Sequence, residues 1–156
     1  MTAAATDPWK IVAYEVRMFR ATYEIMLNPV AIATLSNVFA NAVEESAVLH
    51  TRILCDVFLS NSGGRDDIQL TKLFSNWRHK RYDNLKQKIS ELRTKYGNAN
   101  IGDTPCWIFN KMLAHPTTYR GVSYDYTSIL RDIEPNIKAV IAEIESLRGA
   151  AFTWIW

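Results

Sequence analysis

Residues 29–59 read PVAIATLSNVFANAVEESAVLHTRILCDVFL, and how this run is read decides the fold. Asn28 is a good N-cap, and Pro29 suits the first helical position, where its missing N–H leaves no hydrogen bond unmade. From there Ile32, Leu35, Phe39, Ala42, Ser46, Leu49, Ile53 and Asp56 follow at intervals of three and four, and all but two are apolar. Such spacing draws one stripe along one side of a helix. It predicts a single helix from Pro29 to about Leu59, the longest in the chain, with a seam suited to antiparallel packing. Val30, Ala33, Val38, Val43, Val48 and Leu54 lie off that seam. A helix apolar on more than one side must be covered on more than one side.

On the N-terminal side, residues 1–6 are small and polar and are expected to be disordered. Asp7-Pro8 repeats the cap signal and predicts a helix to about Leu27, with Ile11, Tyr14, Val16, Met18, Phe19, Ile25 and Met26 as its apolar surface. On the C-terminal side, Asn61-Ser-Gly-Gly is a loop, and Asp66-Asp67 caps a short helix through Trp77. The run RHKRYDNLKQKISELRTKY (78–96) predicts an amphipathic helix with Tyr82, Leu85, Ile89, Leu92 and Tyr96 on one face, closed by Gly97.

Asp103 and Thr104 cap the next helix with Pro105 at its first position, and Pro116 stops it at His115. Trp107, Phe109, Met112 and Leu113 are expected inward, and Lys111 and His115 share a face one turn apart. A last helix starts at Ser123 or Asp125 and buries Ile129, Ile133, Ile137, Val140, Ile141 and Ile144. Pro135 either kinks or restarts it, and Gly149 ends it. No internal repeat and no convincing strand period is found. The expected fold is all-α, a bundle of about five to six helices with one long helix pair. The expected organisation is a disordered segment over 1–6, one domain over 7–148 and an aromatic tail over 149–156.

With 156 residues and 48% hydrophobic content, the chain fills one core and not two. Its 18 Lys and Arg nearly balance 16 Asp and Glu, so no whole-protein field demands nucleic acid or membrane. The distribution is uneven, with seven basic residues against two acidic between Trp77 and Tyr96. Cys55 and Cys106 sit in apolar helical contexts and read as reduced thiols. No metal-ligand spacing is present, and no metal or cofactor is expected. The N-terminus lacks the pattern of a secretory signal, and no apolar run reaches 18 residues, so a cytoplasmic protein without a spanning helix is expected.

Four constellations carry chemistry, each beside a plainer reading. Lys111 and His115 at a helix end offer an acid or base, or a capping histidine beside a solvated lysine. Glu44, Glu45, His50, Arg52 and Asp56 form a polar stripe, either lining a pocket or fixing helix register as an ion-pair network. The basic run with Trp77, Tyr82 and Tyr96 suits a phosphate backbone and stacked bases, or is an amphipathic helix with a solvated face. Phe152, Trp154 and Trp156 either fold back on the bundle or enter a partner.

Two stretches together resemble a known family: EESAVLHTRILCDVFL (44–59) on a long helix before an acidic loop, and IFNKMLAHPTTYR (108–120). They are similar to small helical proteins of bacteria and their mobile elements related to the HEPN superfamily, which includes toxins and abortive-infection proteins. The resemblance covers roughly Glu44 to Leu147. The superfamily's ribonuclease motif is an Arg, a polar residue and a His a few positions on, brought together in a homodimer cleft. Here Asn110 takes the polar position and His115 the His, while the Arg position falls on Phe109; Arg52 or Arg120 would supply the missing charge from elsewhere in space. The resemblance implies a protein binding RNA or a nucleotide, as a degenerate ribonuclease toxin or defence component. His115 would then act as acid or base, Arg52 and Lys111 would hold phosphate, and Glu45 and Asp56 would orient them. The alternative is a non-enzymatic helical interaction protein. Under either reading the surplus apolar surface predicts a homodimer, with the aromatic tail near the interface or available to a protein partner.

Overall fold

The computed structural model describes residues 7–61, 63–64, 67–114, 124–149, 152 and 154, with the backbone alone over 112–114. Among these residues the chain is all-α, with no strand. Its helices are α1 (Pro8–Leu27), α2 (Pro29–Thr34), α3 (Asn37–Leu59), α4 (Leu70–Leu73), α5 (Asp83–Tyr96), α6 (Pro105–Ala114) and α7 (Tyr126–Arg148), with a 3-10 turn over Lys80–Tyr82 before α5. The expectation for residues 1–6 lies outside the described residues.

The caps follow the sequence. The Asp7 carboxylate accepts the Trp9 N–H at 3.0 Å, Asn28 accepts from Val30 and Ala31, Thr104 accepts from Trp107, and Asp125 accepts from Ser128. The long helix expected from Pro29 to Leu59 is in fact two. Leu35 and Ser36 are extended, with ψ of 147° and 157°, and they separate α2 from α3. Thr34, Ser36, Asn37 and Val38 are all weak helix formers, and the Thr34 hydroxyl turns back to donate to the Ala31 carbonyl at 2.7 Å. The Ser36 carbonyl then accepts from Ala40 and starts α3.

The seam differs as well. The buried face of α3 consists of Ala47, Val48, His50, Thr51, Leu54, Cys55, Val57 and Phe58, about 100° round the helix from the expected stripe. Phe39, Ala42 and Leu49, expected inside, are exposed. Both stripes of this helix repeat by threes and fours. The one that packs is the one that brings Leu54, Cys55 and Phe58 against the core shared with Val12, Val16 and Phe19 of α1.

The α1–α3 pair is the most extensive in the bundle, and α5–α7 is the next. Both run antiparallel: Glu15 meets His50 across the first, and Asn84 meets Glu143 while Lys95 meets Asp132 across the second. The α5 stripe of Leu85, Ile89, Leu92 and Tyr96 is buried as its period requires. On α7, Pro135 sits inside an unbroken helix. A proline interior to a helix costs about 3 kcal/mol, and burial of Leu130, Ile133, Ile137, Val140, Ile141 and Ile144 offsets it. The short helix expected through Trp77 shrinks to one turn. Phe74 is extended, Asn76 is left-handed at φ 57°, and the Asp67 carboxylate caps the Gly64 N–H instead of a helix. No helix of the described residues is long and apolar enough to cross a membrane.

Candidate functional site

Of the polar residues on α3 and α6, Arg52, Asp56 and Asn110 meet around Cys106. Arg52 and Asp56, four apart on α3, face each other at 3.9 Å. Both lie within electrostatic reach of the Cys106 thiol on α6. Asn110, one turn on, donates from Nδ2 to Cys106 Sγ at 3.7 Å. Lys111 lies over the Trp107 ring, 5.7 Å from its centroid. The Tyr96 hydroxyl reaches the same place from the end of α5, beside Cys106.

Burial lifts the Cys106 thiol above its ordinary range, lifts Cys55 further still, and holds the Tyr96 phenol well up. All three therefore stay neutral at physiological pH, and neither thiol is an activated nucleophile. Burial also raises Asp56, with Arg52 pulling it back. The Arg52–Asp56 pair is loose, with Asp56 open to solvent and Arg52 partly buried, so it contributes at most about 1 kcal/mol. The described residues of the junction thus offer no activated nucleophile.

Glu45 does not join this group. It is exposed two turns before Arg52, next to Glu44 and close to Tyr126 on α7. His115 and Arg120 lie outside the described residues. Partial burial, with Asp125 and Glu45 nearby, raises the Glu44 carboxyl above its ordinary 4.5. A carboxyl raised on folding makes its charged form unfavourable in the native state. That destabilisation is full at neutral pH, fades as pH falls through the raised value, and is gone below 4.5. Glu44→Gln is therefore expected to stabilise the fold at pH 7 by roughly 0.5 kcal/mol or less and to have no effect at pH 4, read by urea titration. A loss of stability at pH 7 would show that the carboxylate is held by a partner.

The second group was read from sequence as a basic helix and a separate aromatic tail, and the structure joins them. Asn76 bends the chain so that residues 77–82 form a turn, with His79 Nδ1 accepting the Arg81 N–H at 3.1 Å. Trp77, half-buried, stacks on Tyr82 at 5.5 Å and on Phe74 at 6.2 Å. Phe74 meets Trp9 at 5.3 Å, Trp9 meets Phe152 at 5.6 Å, and Phe152 meets Trp154 at 4.8 Å. The Trp154 indole N–H donates to Glu145, which also pairs with Arg20 at 3.0 Å. Phe152 and Trp154 thus fold back on the bundle; Trp156 lies outside the described residues.

The result is a ribbon of six rings with one guanidinium over Tyr82 at its end and another over Trp9 and Phe152 further along. Arg81 lies 4.7 Å over Tyr82, and Arg148 lies 4.5 Å over Trp9. Arg78 and Lys80 stand exposed beside it with no side-chain partner among the described residues. Most other cations of this region are engaged: Lys86 by Asp83, Lys88 by Glu91, Lys95 by Asp132, and Arg93 by the Leu59 carbonyl. Tyr82 and Tyr96 are buried, as the plainer reading of the basic run expected. The ribbon and the Cys106 junction sit at opposite ends of α5, about 20 Å apart.

A cleft of about 510 Å³ between α1 and α7 has its cations already paired, Arg20 with Glu145 and Lys138 with Glu134. Among the described residues, no cluster of His, Cys, Asp and Glu could hold a metal ion. A third feature gave little signal in sequence: Glu15, on the inner face of α1, meets His50 Nδ1 at 2.6 Å, and both side chains are about 90% buried. Its position one turn after Val12 and one turn before Phe19 was the available clue. Comparison of the chain with protein-family profiles, curated proteins and solved structures finds no match.

Proposed function

We propose that this is a HEPN-like cytoplasmic protein that binds single-stranded RNA on the aromatic ribbon between Arg81 and Arg148. The supporting observation is the juxtaposition of partly buried Trp77 and Trp9 with exposed Arg78 and Lys80, which have no side-chain partner among the described residues. Bases stack on aromatic faces regardless of sequence, and nearby cations neutralise the phosphates between them. The Arg52–Asn110–Lys111 junction, with His115 and Arg120 following it in the chain, would form a second contact. The reading is one of binding, because the motif's arginine position is a buried Phe109.

Fluorescence anisotropy with a labelled single-stranded RNA tests this. Arg78→Glu, Lys80→Glu and Arg81→Glu together should weaken binding at least tenfold and flatten the salt dependence by about two in log–log slope. Arg52→Ala should weaken it less. Undiminished binding by the triple variant would move the site off the ribbon, and no binding by the intact chain would end the reading.

A second reading, self-association as a homodimer, is favoured by a separate observation: Val30, Val38 and Phe39 are each two-thirds or more exposed.

A further inference from the structure

Between Glu24 and Glu44 lie nineteen residues without one charged or histidine side chain. They form the end of α1, all of α2, the extended Leu35–Ser36 link and the first turns of α3. Of the nineteen only Met26 is fully buried; no residue of α2 is, though Ala31 and Ile32 are partly covered. Val38 is 76% exposed, Val30 74% and Phe39 66%. The two helices on either side of the break thus project an uncharged, largely apolar arm that the other described residues cover only in part.

We infer that this arm docks against the same arm of a second copy of the chain. A two-fold interface sets each patch against itself, so any net charge within it would face its own image. A patch with no charge is the surface that such symmetry tolerates best. A helix lying on an anionic lipid surface would carry Lys or Arg along its edge, and this arm has none. Twelve of the nineteen residues are exposed, which is enough for the centre of an interface whose rim the flanking turns of α1 and α3 complete, against the roughly 20–30 residues a side that stable interfaces engage. Next to Ala40 opens a groove of about 340 Å³ with an apolar side of Met26, Leu27, Pro29 and Ile32 and a polar side that includes Glu44 and Arg131. The Phe39 ring of one copy fills the groove of the other, and the reverse, which is the reciprocal contact that two-fold symmetry requires.

The inference rests on the self-association reading and adds the surface that mediates it. Sedimentation equilibrium of the full chain at micromolar concentration should give a species of twice the 17.9 kDa chain mass. Val38→Glu with Phe39→Glu should weaken the dimer at least a hundredfold while leaving the circular dichroism spectrum that of the folded chain, since both side chains are exposed in the single chain. Val30→Glu, on the other helix of the arm, should do the same independently. A dimer that persists in both variants would overturn the arm as its interface and leave self-association standing. A monomeric intact chain, including one that floats with anionic vesicles, would overturn both.

Discussion

Glu15→Ala is expected to lower the melting temperature by on the order of 10 °C. The carboxylate meets His50 Nδ1 at 2.6 Å, and the two side chains are only 10% and 8% exposed. They join α1 to α3, the most extensive helix pair in the bundle, at a level where Val12, Val16 and Phe19 exclude water. Removing one member strands the other in that interior. Such a loss typically costs about 3–5 kcal/mol, far more than the pair itself contributes against an apolar replacement. For a chain of this size each kcal/mol moves the midpoint by roughly 2–4 °C. The same reasoning sets the second arm of the experiment. Glu15→Met with His50→Leu removes both polar groups, keeps approximate volume, and should melt clearly above either single truncation. Differential scanning calorimetry or a urea titration reads both. A Glu15→Ala protein that melts within 2 °C of the parent would mean that water reaches the site and that the pair does not hold the two helices together.

That pair also marks where the sequence could be read and where it could not. α5 and α7 were legible because each has one apolar stripe and a charged remainder, so only one face can turn inward. α3 has two apolar stripes about 100° apart, and nothing local chooses between Leu49–Ile53 and Leu54–Phe58. Contact with α1 makes the choice, and with it decides that Arg52 is half-buried while Asp56 and Glu45 stay open. The break at Leu35–Ser36 had a local signature in Thr34, Ser36 and Asn37, but an apolar period running across it concealed the change of direction. The Cys106 junction is half legible: Arg52 and Asp56 stand out by their chemistry and Asn110 through the resemblance, and the α3–α6 contact brings them together. The aromatic ribbon was not visible at all. Trp9, Phe74, Trp77 and Phe152 belong to three distant parts of the chain, and only tertiary packing brings them into one ribbon.

Phe109→Arg, which would restore the arginine that the resemblance calls for, is expected to unfold the protein rather than endow it with ribonuclease activity. Phe109 is fully buried on α6 with its ring 6.2 Å from that of Tyr96, in the core shared by α3, α5 and α6. A guanidinium cannot shed its charge at any accessible pH, so it would need a carboxylate and further acceptors where the site offers rings and neutral thiols. Overpacking adds to the cost, and the two together exceed about 4 kcal/mol, a large share of a typical domain's stability. Phe109→Leu provides the control. It keeps an apolar side chain in the site, should cost about 1–2 kcal/mol, and should leave a folded protein with unchanged RNA binding. If the side chain at 109 instead faced a cleft, the arginine variant would stay folded, melt within a few degrees of the parent, and cleave RNA. That outcome would require α6 to present the Phe109 side to solvent, and it would replace the binding reading with a catalytic one. The expected result, loss of the folded state with the leucine variant intact, ties position 109 to the core and leaves any anion-holding role at this end of the bundle to Arg52 and Lys111.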